Sequence, residues 1–233
     1  LGKLMYFGPG YFQYLLFLAP AILLAMYAQM RIRSTYAAAQ RMPANLTGAA
    51  AARHILDSAG LHDVAIEEIP GHLSDHYDPS AKVLRLSPEV YRNRTLASVG
   101  IAAHEAGHAL QDAVSYPALV VRNAAVPIAN FGGGISSFLL MMGLGFGMQS
   151  LLLAGIALFA TVVFFQVVNL PVEFNASNRA KDQLVSLGII DQQGLVEVKR
   201  VLNAAALTYV AATLQAILTL LFYLMRFSGN QRD

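Results

Sequence analysis

The chain has 233 residues, 56% of them hydrophobic and 13% charged, with a formal charge of +2. An average soluble domain is about 45–50% apolar and about 25% charged, so an ordinary cytosolic globule, a disordered chain and a collagen-like repeat are excluded. No basic run of five residues offers a surface for nucleic acid, and the absence of Cys removes disulfides, thiolate metal sites and a Cys nucleophile.

The apolar excess falls in four blocks of about 20 residues, the length a helix needs to cross about 30 Å of hydrocarbon. Residues 1–30 hold an N-terminal segment and transmembrane helix 1, uncharged from 10 to 30, with Pro20 tolerable in a membrane helix. Met5 reads as the natural initiator, which would make Leu1-Gly2-Lys3-Leu4 non-native; the apolar stretch is too long for a cleaved signal peptide. Residues 31–116 read as the cytoplasmic part of a protease module. Thr47 caps a helix that runs through Ser58 and stops at Gly60. Short strands are expected at Val64–Ile66 and Lys82–Leu86, with turn chemistry at Asp75-His76-Tyr77-Asp78-Pro79 between them. Pro88 opens a helix, and a longer one runs from Thr95 to about Ala113.

Residues 117–170 form a transmembrane hairpin, with spans near 124–146 and 151–170 joined by an uncharged turn at Gly147-Met148-Gln149-Ser150. The glycines at 132–134 and at 143, 145 and 147 sit in apolar sequence without a phosphate-loop pattern, and read as helix packing. Residues 171–205 return to polar sequence, with a helix expected to begin near Pro171; residues 206–233 hold transmembrane helix 4 and a tail.

His104-Glu105-Ala106-Gly107-His108 carries the chemistry. Two His at i and i+4 share a helical face and can both reach one Zn²⁺, and the Glu beside the first can poise a water for attack. Chance would give this pattern roughly 0.004 times in such a chain, so it outweighs every other signal. A catalytic zinc needs a third protein ligand. Gln111 stands where the metzincin pattern would continue, and that pattern is not formed. The candidates are His54, His62, His72, His76 and a carboxylate, of which Glu173 is the strongest. Two spans joined by a short turn bring the chain back to the side it left, so Glu173 faces the same compartment as His108.

Several stretches resemble the YugP-like neutral zinc metallopeptidases of bacterial membranes, and more distantly the CAAX-protease and heat-shock membrane-protease families. They are Met5 to Tyr11, Asp75 to Pro79, His104 to Leu110, and Leu170-Pro171-Val172-Glu173-Phe174. In the distant relatives the first Glu of a Glu-x-x-x-Asp motif is the third zinc ligand, and the resemblance puts that role on Glu173. The Asp of the motif aligns with Ser177, a departure that bears on a supporting carboxylate and not on the ligand.

Three further residues have competing readings. His76, like His72 at the other end of the same turn, is a transition-state hydrogen-bond donor, a substrate contact or an ordinary loop His; Arg179 assists an oxyanion or caps a polar helix face. The strand at 83–86 is either an edge for an extended peptide or an ordinary sheet strand.

The fold class expected is a mainly α membrane protein, with four transmembrane helices and a small α/β zincin-like protease module at the membrane surface. The function expected is a membrane-embedded zinc-dependent endopeptidase, gluzincin-like. A zinc-activated water attacks the peptide bond with Glu105 as general base, and His104, His108 and Glu173 hold the metal. Partners expected are protein or peptide substrates in or near the membrane and membrane lipid, but no nucleic acid; a second copy or a regulator is left open. A zinc-binding scaffold without catalysis is the alternative, and a transporter is disfavoured because no charge lies mid-span. Thirteen of the 16 Lys+Arg fall in 31–123 and 171–205, which puts the site on the cytoplasmic face of a multi-pass plasma-membrane protein.

Overall fold

The computed structural model describes residues 9–229; the expectations for Leu1–Leu4 and for Met5–Gly8 lie outside these. Among the described residues the chain is mostly helical: α1 (Pro9–Ala39), α2 (Gly48–Ser58), α3 (Pro88–Arg92), α4 (Leu96–Ala113), α5 (Pro117–Gly145), α6 (Gln149–Ser186) and α7 (Gln192–Gly229). Three strands, β1 (Ala65–Glu68), β2 (His76–Asp78) and β3 (Val83–Leu86), make one small sheet. Four helices, α1, α5, α6 and α7, are long and apolar enough to cross a membrane.

The chain divides into two compact units. One comprises the chain up to Tyr27, Asn123–Val168 and the chain from Thr208. Its interior joins Leu140, Leu152 and Ile156 with flanking Phe159, Leu220, Tyr223 and Phe227. Of the glycines expected to pack helices, Gly143 does so, where a Cβ would lie 2.5 Å from the Leu152 nitrogen, and Gly132, 3.0 Å from the Thr161 hydroxyl, whereas Gly134, Gly145 and Gly147 have open space; Gly155, outside that set, packs 2.9 Å from Leu140. Gly147 turns the chain between α5 and α6 with φ +67°, a conformation that costs an L side chain about 1 kcal/mol or more.

The other unit, Ala28–Arg122 with Asn169–Leu207, holds the sheet and the candidate chemistry. Local signals start its helices. The Thr47 hydroxyl accepts from the Ala50 N–H and the Thr95 hydroxyl from the Ser98 N–H, each satisfying an orphan donor of the first turn. Pro88 takes the first position of α3, where no N–H is needed. The core packs Ile55 and Leu56 of α2, Leu84 and Leu86 of β3, the alanines of α4, Leu184 of α6 and Val198 of α7, all buried.

The sheet corrects two expectations. Its order is β1-β3-β2, so the strand at 83–86 is central and cannot be a peptide-accepting edge. Val83, Leu84 and Leu86 are buried, and pairing with β1 and β2 uses the main-chain groups on both edges of the strand. The segment 76–78 is a strand and not a turn: it pairs antiparallel with β3 through Tyr77 opposite Leu84. The turn chemistry acts at its ends. Asp78 accepts from the Ser80 and Ala81 N–H groups, and Asp75 accepts from the Ser87 N–H and hydroxyl. Pro171 also departs from expectation, lying inside the 38-residue α6 and not at a helix start.

Candidate active site

The site is built from two helices that are far apart in sequence. On α4, His104 and His108 stand one turn apart with ring centroids 4.9 Å from each other. Ala102, Ala103, Ala106 and Gly107 keep this helix slim enough for α6 to approach. At Gly107 an added Cβ would lie 2.6 Å from the Ala176 carbonyl oxygen, closer than real Cβ atoms come. Glu173 of α6 is thereby brought against both rings: its Oε2 lies 3.3 Å from His104 Nε2 and 3.8 Å from His108 Nε2. The three ligand atoms all fall within 4.8 Å of one another, the one such cluster of three among the described residues.

This donor set fits a zinc ion. Ligands about 2.0–2.2 Å from a tetrahedral Zn²⁺ lie roughly 3.3–3.6 Å from one another, close to the spacing found. Glu173 Oε2 is moreover buried and forms no hydrogen bond of good geometry, meeting only the two imidazole Nε2 atoms, an arrangement that a bound cation would satisfy fully. The outward nitrogens of the rings are backed by side chains: His108 Nδ1 faces Gln111 Oε1 at 3.0 Å, and His104 Nδ1 faces Ser177 Oγ at 3.1 Å.

Electrostatics set the α4 groups apart. Burial pushes the Glu105 carboxyl up to about 7, reinforced by Glu173 and Asp75 and opposed by His104 and the Tyr77 main-chain N–H. Burial and the neighbouring His104 bring His108 down to about 4, so its ring is neutral and free to ligate. Burial also works against a charge on His104, but the Glu173 bond and the charges of Glu105 and Glu173 outweigh it and raise that ring.

The remaining histidines go elsewhere. His54 is exposed, His62 pairs with Asp57, and His72 pairs with Glu89. His76, exposed on β2, turns Nδ1 to its own Ser74 carbonyl at 2.8 Å. Arg179 donates from Nε to Asn175 Oδ1 at 2.8 Å. No hydrogen bond or ion pair among the described residues joins His76 or Arg179 to the three clustered groups. Sequence reasoning passed over Gln111, which is fully buried beside His108; its position three residues on, on the same helical face, is the signal that could have found it.

The approach of α4 to α6 is testable. Gly107→Ala should destabilise the protein by about 1–3 kcal/mol despite the better helix propensity of Ala, and should lower zinc occupancy by displacing Glu173. Thermal unfolding and metal analysis, with Gly134→Ala as a position that has open space, read the two effects. An unchanged melting temperature and metal content would show that α6 yields at no cost.

Comparison with known proteins agrees with this chemistry. The family described as "Putative neutral zinc metallopeptidase" matches residues 14–228. A relative from Bacillus subtilis (strain 168), named "Putative membrane protease YugP", is 46% identical over 215 residues, covering 91% of this chain and 95% of its own length. No solved structure matches. The chain belongs to this neutral zinc metallopeptidase family, as a helical protein with four helices fit to cross a membrane and a His104–His108–Glu173 group fit to hold the metal.

Proposed function

We propose that the protein is a membrane-embedded zinc endopeptidase whose metal is held by His104, His108 and Glu173 and whose general base is Glu105. The observation that carries this reading is the convergence of three ligand atoms from α4 and α6 within 4.8 Å, with a buried carboxylate oxygen that has no other partner. Zinc bound there supplies Lewis acidity, polarising the scissile carbonyl and making water a competent nucleophile near neutral pH. Glu105 accepts the proton of the attacking water and returns it to the leaving amine. Its buried setting, which raises the carboxyl, favours holding the proton between the two transfers. The Tyr77 main-chain N–H, directed at this carboxylate, holds it in place.

The α/β unit is read as zincin-like, with the His-bearing helix packed beside a small sheet. With β3 central, β2 is the edge next to Glu105 on which an extended peptide would add. Substrates within or near the membrane are supported by α6, one helix that carries both an apolar span and, beyond it, Glu173. His76 and Arg179 remain proposed contributors to the transition state. Replacing either by Ala should leave zinc in place and lower kcat by about 10²–10³ if it donates to the oxyanion; less than about a threefold loss at both would remove them from the reaction.

The Lys/Arg bias of the loops supports a site on the cytoplasmic face. Single cysteines at Ser74 and Ser150, in a chain free of native Cys, report this directly. A membrane-impermeant thiol reagent on intact cells should label position 150 and spare 74; the reverse pattern would put the site on the outer face.

A further inference from the structure

Gln111 has no place in the hydrolytic chemistry, yet it is wholly buried and makes three side-chain hydrogen bonds. Its Nε2 lies 2.8 Å from the Val172 carbonyl oxygen and 3.0 Å from Asn175 Oδ1, while its Oε1 lies 3.0 Å from His108 Nδ1. The direction of these bonds is forced. A main-chain carbonyl only accepts, so the amide nitrogen of Gln111 must face Val172. Asn175 must in turn present its oxygen, because the Arg179 Nε–H at 2.8 Å can only donate. Both constraints leave the Gln111 oxygen facing His108. That oxygen can only accept, so His108 must carry its proton on Nδ1.

We infer that Gln111, oriented by Val172 and by the Arg179–Asn175 pair, is a positioning residue that fixes the tautomer of His108 and turns its Nε2 lone pair toward Glu173. This deepens the zinc reading and rests on it. The same amide spans 61 and 64 residues of sequence to grip α6 immediately before and shortly after Glu173. One side chain thus sets both the electronic state of one ligand and the register of another. His104 lacks an equivalent. Its Nδ1 meets the Ser177 hydroxyl, which rotates and can donate or accept, so the contact at 3.1 Å orients the ring without choosing a tautomer.

The test uses the full chain, solubilised in detergent and stripped of metal, with ¹⁵N-labelled histidine. Long-range ¹H–¹⁵N correlation spectra should show His108, assigned by loss of its signals in His108→Gln, as the Nδ1–H tautomer. Gln111→Met, close in volume, should release His108 into a mixture of tautomers and weaken zinc binding, read by chelator competition, by about 10–100-fold. An Nε2–H tautomer in the wild type would overturn the inference. So would a folded Gln111→Met protein that binds zinc within about threefold of wild type. If Gln111→Met does not fold, the wild-type spectrum decides alone. A wild type that binds no zinc would instead refute the metal site itself, a result separable from the tautomer.

Discussion

Glu105→Gln should keep its zinc and lose peptide hydrolysis, with kcat down by about 10²–10⁴, the range that positioned acid–base groups contribute. The amide preserves the shape of the carboxyl and still receives the Tyr77 N–H, so the fold and the ligands are undisturbed. It cannot take a proton from water at neutral pH, and the step that generates the nucleophile and the step that protonates the leaving amine fail together. Metal analysis alongside proteolysis of a denatured generic substrate measures both halves. Undiminished hydrolysis would assign the base elsewhere. A wild type as inert as the variant, both loaded with zinc, would favour a metal-binding scaffold.

Glu173→Ala and His104→Ala should fail in the opposite way, losing the metal first and activity as a consequence. Each removes one of three protein ligands, so zinc affinity should fall by more than the ~10–100-fold typical of residues that merely support a ligand. For Glu173 the structure adds a reason. Its Oε2 lies against the two imidazoles at 3.3 and 3.8 Å and raises the His104 ring, so in the empty protein removing the carboxylate trades its desolvation cost against the loss of that pairing, whereas the metal-bound state loses a ligand outright. Chelator competition should therefore show a larger defect than thermal unfolding of the metal-free protein. Full zinc retention in Glu173→Ala would take that residue out of the site.

The elements that chain-local chemistry dictates were legible in the sequence. Thr47 and Thr95 mark the starts of α2 and α4, Pro88 opens α3, and the two histidines share a helical face because α4 is a helix at all. Glu173 was legible for a different reason: a short hairpin of two spans constrains where the chain must return. Pairing was not legible. Nothing in Val83–Leu86 says whether one neighbour or two will flank it, because burial on both sides follows from partners elsewhere in the chain. His76–Asp78 carries the residues of a turn, and its three-residue strand exists through Tyr77 opposite Leu84. Pro171 stops a helix by local rules, yet α6 continues through it; a proline is tolerated in such a helix when surroundings satisfy the freed carbonyl. The contacts of Gln111 belong to the same class, since its partners lie more than 60 residues away.

The ligand groups come from two helices joined only through a long intervening stretch, so a zinc ion held as proposed binds the folded chain and has no comparable site in the unfolded one. Metal supply then becomes a determinant of lifetime as well as of turnover. At a free zinc level 100 times the dissociation constant the fold gains about 2.7 kcal/mol, and the gain disappears as the ion is withdrawn. A chain starved of zinc is therefore more often open, and more often destroyed by other proteases, than its loaded counterpart. Its abundance in the membrane should track zinc availability without any change in its synthesis.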